Sequence, residues 1–208
     1  MKALYNKEKI MQTSLRWILS AIFLIFSLII LPSQAGVVWS EKDVYDVKTN
    51  AMALYNTSQG QRALALLETI PSQYRNEEIY TIMGNIYEDA GDTNKALDML
   101  NKALAVNPKY FKAYYNFGTV YIKRQSWDLA IKNFKLSIKY NKEFPYAYYN
   151  LGYCYLQKRE YGNAKKNFIK AISLKGDDKD FYQSLAYTYK MLGQEKNAKK
   201  VLDAYNKL

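Results

Sequence analysis

Few side chains in this sequence could do covalent chemistry. The 208 residues include no histidine, which excludes histidine-based triads and histidine metal sites. The single cysteine, Cys154, sits between Tyr153 and Tyr155 with no second thiol, so no intramolecular disulfide forms. A buried structural thiol fits it better than a nucleophile. Asp177, Asp178 and Asp180 cluster just before a helical stretch, where weak calcium binding and helix capping compete, and capping fits better. No glycine-rich phosphate loop is present. The expectation is therefore no catalytic residue, no metal and no cofactor. What remains is an unusual supply of tyrosine, 21 residues in all, able to pack or to recognise a partner.

Their spacing sorts them. Tyr80, Tyr114, Tyr148 and Tyr182 recur every 34 residues, as do Tyr87, Tyr121, Tyr155 and Tyr189. So do the small residues Gly84, Gly118, Gly152 and Ala186. A second register follows in Ala96, Ala130, Ala164 and Ala198, with Leu100, Phe134, Phe168 and Leu202 four residues later. Each unit reads as two amphipathic helices. Tyr114, Phe117, Gly118 and Tyr121 share one helical face, and Ala130, Ile131, Phe134 and Ile138 share another. Polar turns separate the two, with Gly91 and Gly193 placed to end a helix in the left-handed conformation. One such pair cannot bury these faces alone, so the units must stack, and the eight tyrosines of the two columns are expected to be packing residues.

The stretch "AYYNFGTVYIKRQSWDLAIKNFKLSIKYN" resembles the tetratricopeptide repeat, a helix-turn-helix unit of the same length. Lys142 and Gly176 depart from it where Pro108 keeps the family's proline. The resemblance implies an all-α, right-handed solenoid with four repeats at 77–110, 111–144, 145–178 and 179–208. Residues 44–76 read as a degenerate N-terminal pair. The family binds proteins, with first helices lining a concave groove and second helices forming the convex back. On that basis Tyr115, Asn116, Tyr146, Tyr149, Asn150, Tyr153 and Tyr187 are the groove candidates, with packing of the rings on one another as the alternative. Some members grip a peptide's terminal carboxylate with lysines and arginine. The matching places here hold Thr81, Asn85, Asn116, Tyr146 and Asn150, and without cations that mode is rejected.

Charge and the N-terminus complete the expectation. Lys2, Lys7, Lys9 and Arg16 precede an uncharged run from Trp17 to Leu31, and Ser33-Gln34-Ala35 follows Pro32. Fifteen helical residues span about 22 Å against a hydrocarbon core of about 30 Å. Residues 1–35 therefore read as a secretory signal cleaved near Ala35, with residues 36–43 as a linker, giving a periplasmic or secreted protein. An inner-membrane anchor through residues 17–31 is the alternative. Removing four basic residues and Glu8 changes the net charge from +11 to +8. Lys132, Lys165, Lys166, Lys199 and Lys200 form a basic stripe on the second helices. It suits anionic lipid or wall polymer, or simply keeps the array soluble; nucleic acid is disfavoured for an exported protein. The partner expected for the groove is an extended peptide or a helix of another protein. The C-terminal helix, through Leu202 and Tyr205, is a candidate for self-association.

Overall fold

The structure, a computed structural model, describes residues 38–206, and its helices all lie in one compact unit, Glu41–Leu208. The signal segment expected over residues 1–35 lies outside the described residues. There are ten α-helices and no strand among the described residues. They are α1 (Glu41–Asn56), α2 (Gly60–Glu68), α3 (Glu77–Asp89), α4 (Thr93–Val106), α5 (Phe111–Lys123) and α6 (Trp127–Tyr140), then α7 (Pro145–Gln157), α8 (Tyr161–Leu174), α9 (Lys179–Met191) and α10 (Glu195–Tyr205). A 3-10 turn, Ser72–Tyr74, joins α2 to α3. Helix α1 begins at Glu41, inside the stretch read as a linker to residue 43, because Glu41 and Asp43 favour a helix N-terminus.

The helices pack as consecutive pairs, α1 with α2 through α9 with α10. Each second helix also packs on the first helix of the next pair, and first helices α3, α5, α7 and α9 touch one another in sequence. Contact between successive second helices is sparse or absent. The first helices thus stand closer together than the second helices, which bends the stack with the first helices on the inner side.

The core runs along the seam of each pair. Ala96, Ala130, Ala164 and Ala198 are buried, as are Leu100, Phe134 and Phe168. The small residue of the first helix faces this seam: a Cβ added at Gly118 would lie 2.5 Å from Phe134 Cε1, and one at Gly152 would lie 2.9 Å from the Phe168 ring. Of the two tyrosine columns, only Tyr80 is buried outright. The others are half-buried straps at the rim. Tyr114 stacks on Tyr140 at 5.4 Å between ring centroids. Its hydroxyl donates to the Pro108 carbonyl at 3.0 Å, and Tyr182 repeats the bond to Gly176 at 2.9 Å.

Each turn within a pair closes the same way. The amide of Ser126 donates to the Tyr121 carbonyl and that of Gln125 to Ile122, a Schellman pattern repeated at Gly91, Arg159 and Gly193. The left-handed residue recurs in register, with φ of 80° at Gly91, 55° at Gln125, 59° at Arg159 and 68° at Gly193. A non-glycine residue is strained there by about 1 kcal/mol or more. Gln125→Gly and Arg159→Gly are each expected to stabilise the fold by about 1 kcal/mol. Chemical denaturation checks this, and a midpoint that falls in both variants contradicts it.

Candidate protein-binding groove

The inner side is built from the first helices, and the tyrosines there do more packing than their sequence positions alone imply. The Tyr115 ring lies 5.7 Å from Phe134 and edge-on to Phe144 at 5.0 Å. Its hydroxyl accepts from Asn150 Nδ2 at 3.0 Å, and burial raises its pKa, against a lowering by that bond. Tyr149 repeats the arrangement one unit later: it stacks on Phe181 at 4.8 Å, tilts against Phe168 at 5.6 Å, and accepts from Ser184 Oγ at 3.4 Å. Asn116 donates instead to Asn85, while the Thr81 hydroxyl, in the place of Tyr115, donates to the Glu77 carbonyl. A ladder of polar bonds thus ties α3 to α5, α5 to α7 and α7 to α9.

Two candidates, Tyr146 and Tyr187, lie nearer the surface, and Tyr153 is buried to the same degree as Tyr115 and Tyr149. The Tyr153 ring meets Trp127 edge-on at 6.2 Å and is half-buried. Tyr146 is 37% exposed, and its hydroxyl accepts from Lys175 Nζ at 2.6 Å. That bond, with Asp178 at 3.1 Å, holds Lys175 well above the usual lysine range. Tyr187 is 53% exposed, and Met191, one turn further along α9, is 43% exposed. The structure therefore places Tyr115 and Tyr149 in the inter-repeat packing and leaves Tyr187 exposed, while Tyr146 is partly exposed against Phe144 and Phe181. Asn116 and Asn150 are half-buried rungs of the ladder.

The opposite end of the inner side is polar, and the sequence reading missed it. The Tyr55 hydroxyl of α1 donates to Asp89 at the end of α3, and burial together with that bond raises the phenol's pKa well above its ordinary value. Lys48 pairs with Glu78, and Lys123 of α5 pairs with Glu88 at 3.1 Å. A cavity of about 490 Å³ opens beside Tyr55, Arg62 and Asp89, and a second of about 220 Å³ beside Tyr55, Asn85, Glu88, Asp89, Asn116 and Lys123. One signal could have revealed this region: Glu88 and Asp89 occupy the last turn of α3, where the helix dipole disfavours anions.

The remaining candidates fall elsewhere. Lys132, Lys166, Lys199 and Lys200 are exposed on α6, α8 and α10, and none has a carboxylate within ion-pair distance among the described residues. Lys165 differs, being half-buried with Nζ 5.8 Å from the centre of the Tyr189 ring. Asp178 caps α9 by accepting from the Asp180 amide, as capping would require. Cys154 is fully buried, and burial pushes its thiol up to about 12. It is expected to resist thiol-directed alkylation at pH 8 in the folded protein and to react stoichiometrically in denaturant. Rapid labelling of the folded chain contradicts this.

The model for the TPR repeat matches residues 84–123 and 118–158, and a second, for the tetratricopeptide repeat, matches 145–178. This is a tetratricopeptide repeat protein. Solved structures of similar fold include the crystal structure of MamA, 24% identical with a TM-score of 0.66, covering 76% of this chain and 92% of that one. MamA 41-end from Desulfovibrio magneticus RS-1 is 20% identical with a TM-score of 0.67, covering 81% and 96%. At such identity the likeness is one of fold. No curated protein matches the sequence. Tetratricopeptide repeats typically build non-enzymatic protein-interaction scaffolds, and the repeats of this chain support such a scaffold.

Proposed function

We propose that the repeat array binds an extended segment or a helix of a partner protein along the inner side of its first helices, in the cell envelope. The observation that carries this reading is the exposure of Tyr187 and Met191, one turn apart on α9, with Tyr146 partly exposed near the start of α7. Amphipathic rings of this kind give large contact area and a hydroxyl handle at low entropic cost. The basic N-terminal stretch with its uncharged run supports export of the chain, and N-terminal sequencing of exported protein tests it, with Gly36 as the expected first residue.

The groove is tested with Tyr187→Ser combined with Met191→Ser, which alters the surface and spares the buried seam. The variant is expected to keep its helical circular dichroism and lose the protein that wild type recovers from an envelope extract. Equal recovery by both overturns the reading. A second reading assigns the outer side to an anionic surface, favoured by Lys132, Lys166, Lys199 and Lys200 standing exposed without carboxylate partners. Cosedimentation with anionic vesicles, weakening as salt rises, is its expected signature.

A further inference from the structure

The groove has two chemically different ends. At α7 and α9 it presents tyrosine and methionine, while at α1, α3 and α5 it presents carboxylates around a cavity. We infer that the cavity between α3 and α5 receives an arginine side chain of the bound segment. The inference rests on the groove reading for what carries the arginine, but the chemistry of the cavity stands by itself.

Three observations support it. First, Glu88 Oε2 is buried and has no hydrogen-bond partner within the protein, although Glu88 Oε1 pairs with Lys123 at 3.1 Å. That oxygen has no surface open to the cavity as it stands, and it is satisfied once the carboxylate turns toward a donor there that takes over from Lys123. Second, Glu88 and Asp89 face the cavity against one cation, Lys123, leaving an excess negative charge. Asp89 already accepts from Tyr55 through Oδ2, which leaves Oδ1 for another donor. Third, the volume of about 220 Å³ is smaller than the roughly 300–1,000 Å³ of pockets that enclose drug-sized ligands. It suits one long side chain. A guanidinium, with five donors in a planar fork and weak hydration, matches two neighbouring carboxylates and the amide oxygen of Asn116 better than a compact ammonium does. The bound segment would then run with its basic residue toward α3 and its apolar residues toward α9.

The test uses the full chain and two small probes, Nα-acetyl-arginine amide and its neutral analogue Nα-acetyl-citrulline amide, titrated to about 10 mM while backbone amide resonances are followed. The arginine compound is expected to shift Gly84, Asn85 and Asn116, and to bind about tenfold more tightly than the citrulline compound. Glu88→Gln should weaken the arginine compound about tenfold, whereas Lys123→Gln, which removes the competing cation, should tighten it several-fold. Opposite signs in two neighbouring variants separate recognition from damage to the fold. Equal shifts with citrulline, no shifts with arginine, or no tightening in Lys123→Gln overturns the inference. The Tyr187→Ser, Met191→Ser variant should bind the arginine compound as wild type does. If that variant loses its partner protein while the arginine titration fails, the groove stands and the cavity assignment falls. If it keeps its partner while the titration succeeds, the reverse holds.

Discussion

Replacing Gly118 by alanine is expected to lower the melting temperature by roughly 4–8 °C, a large response to one methyl group. The added Cβ would sit 2.5, 2.6 and 2.8 Å from three carbons of the Phe134 ring, where contacts of about 3.5–4.0 Å are optimal. Phe134 cannot retreat easily, being fully buried with Tyr115 packed beside it. Overpacking of this severity costs about 3 kcal/mol, offset by about 1 kcal/mol from alanine's better helix propensity. The same change at Gly84 should be nearly neutral, since there the nearest atoms, Ala96 O and Leu100 Cδ2, lie 3.3 Å away. The last repeat shows the principle in natural form, with Ala186 in register with Leu202 rather than with a phenylalanine. Gly118→Ala combined with Phe134→Leu should therefore recover part of the lost stability. A double-mutant cycle with no coupling between the two sites would contradict that account.

The second large effect is expected at Tyr149. Tyr149→Ala removes a ring stacked on Phe181 and tilted against Phe168, so about 2–3 kcal/mol of stability should go with it. Tyr149→Phe keeps both ring contacts and loses only a 3.4 Å hydrogen bond from Ser184, so it should cost less than about 1 kcal/mol. Tyr187→Ala, at a site 53% exposed, should change stability by no more than about 0.5 kcal/mol. Denaturation of the three variants side by side ranks them. If Tyr149→Ala proves no less stable than Tyr187→Ala, the stacking described between α7 and α9 is not holding the repeats together. The ranking also matters for function, because a partner lost from Tyr149→Ala reports on folding as much as on contact.

The periodic part of the fold was legible because packing within a pair repeats with the chain. A small residue of the first helix faces a side chain sixteen residues on, Gly84 with Leu100, Gly118 with Phe134 and Gly152 with Phe168, so any column that serves this seam shows in the sequence. The Schellman turns were only half legible: Gly91 and Gly193 announce the left-handed residue, while Gln125 and Arg159 adopt it without a compositional sign. The division of the tyrosines blurred for a different reason. Tyr115 and Tyr149 lie on the inner face, but what covers them, Phe144 and Phe181, belongs to the next linker and the next repeat. The acidic cavity was least legible, since it depends on how α1 meets α3. The first pair is also out of step with the rest, the interval from Gly60 to Gly91 being 31 residues.

That first joint has a mechanical consequence. Helix α2 touches α3 more thinly than α4, α6 or α8 touches its following helix, and the contacts of α1 with α3 include Lys48 with Glu78 and Tyr55 with Asp89. In a linear array, cooperativity passes only from neighbour to neighbour, so a weak link sets where unravelling starts. Hydrogen exchange should therefore run fastest in α1 and α2 and slowest in α6 to α8. Anything that bridges Tyr55 to α3 and α5 will act as a clasp on the loose end, and its binding will be felt first as slower fraying there.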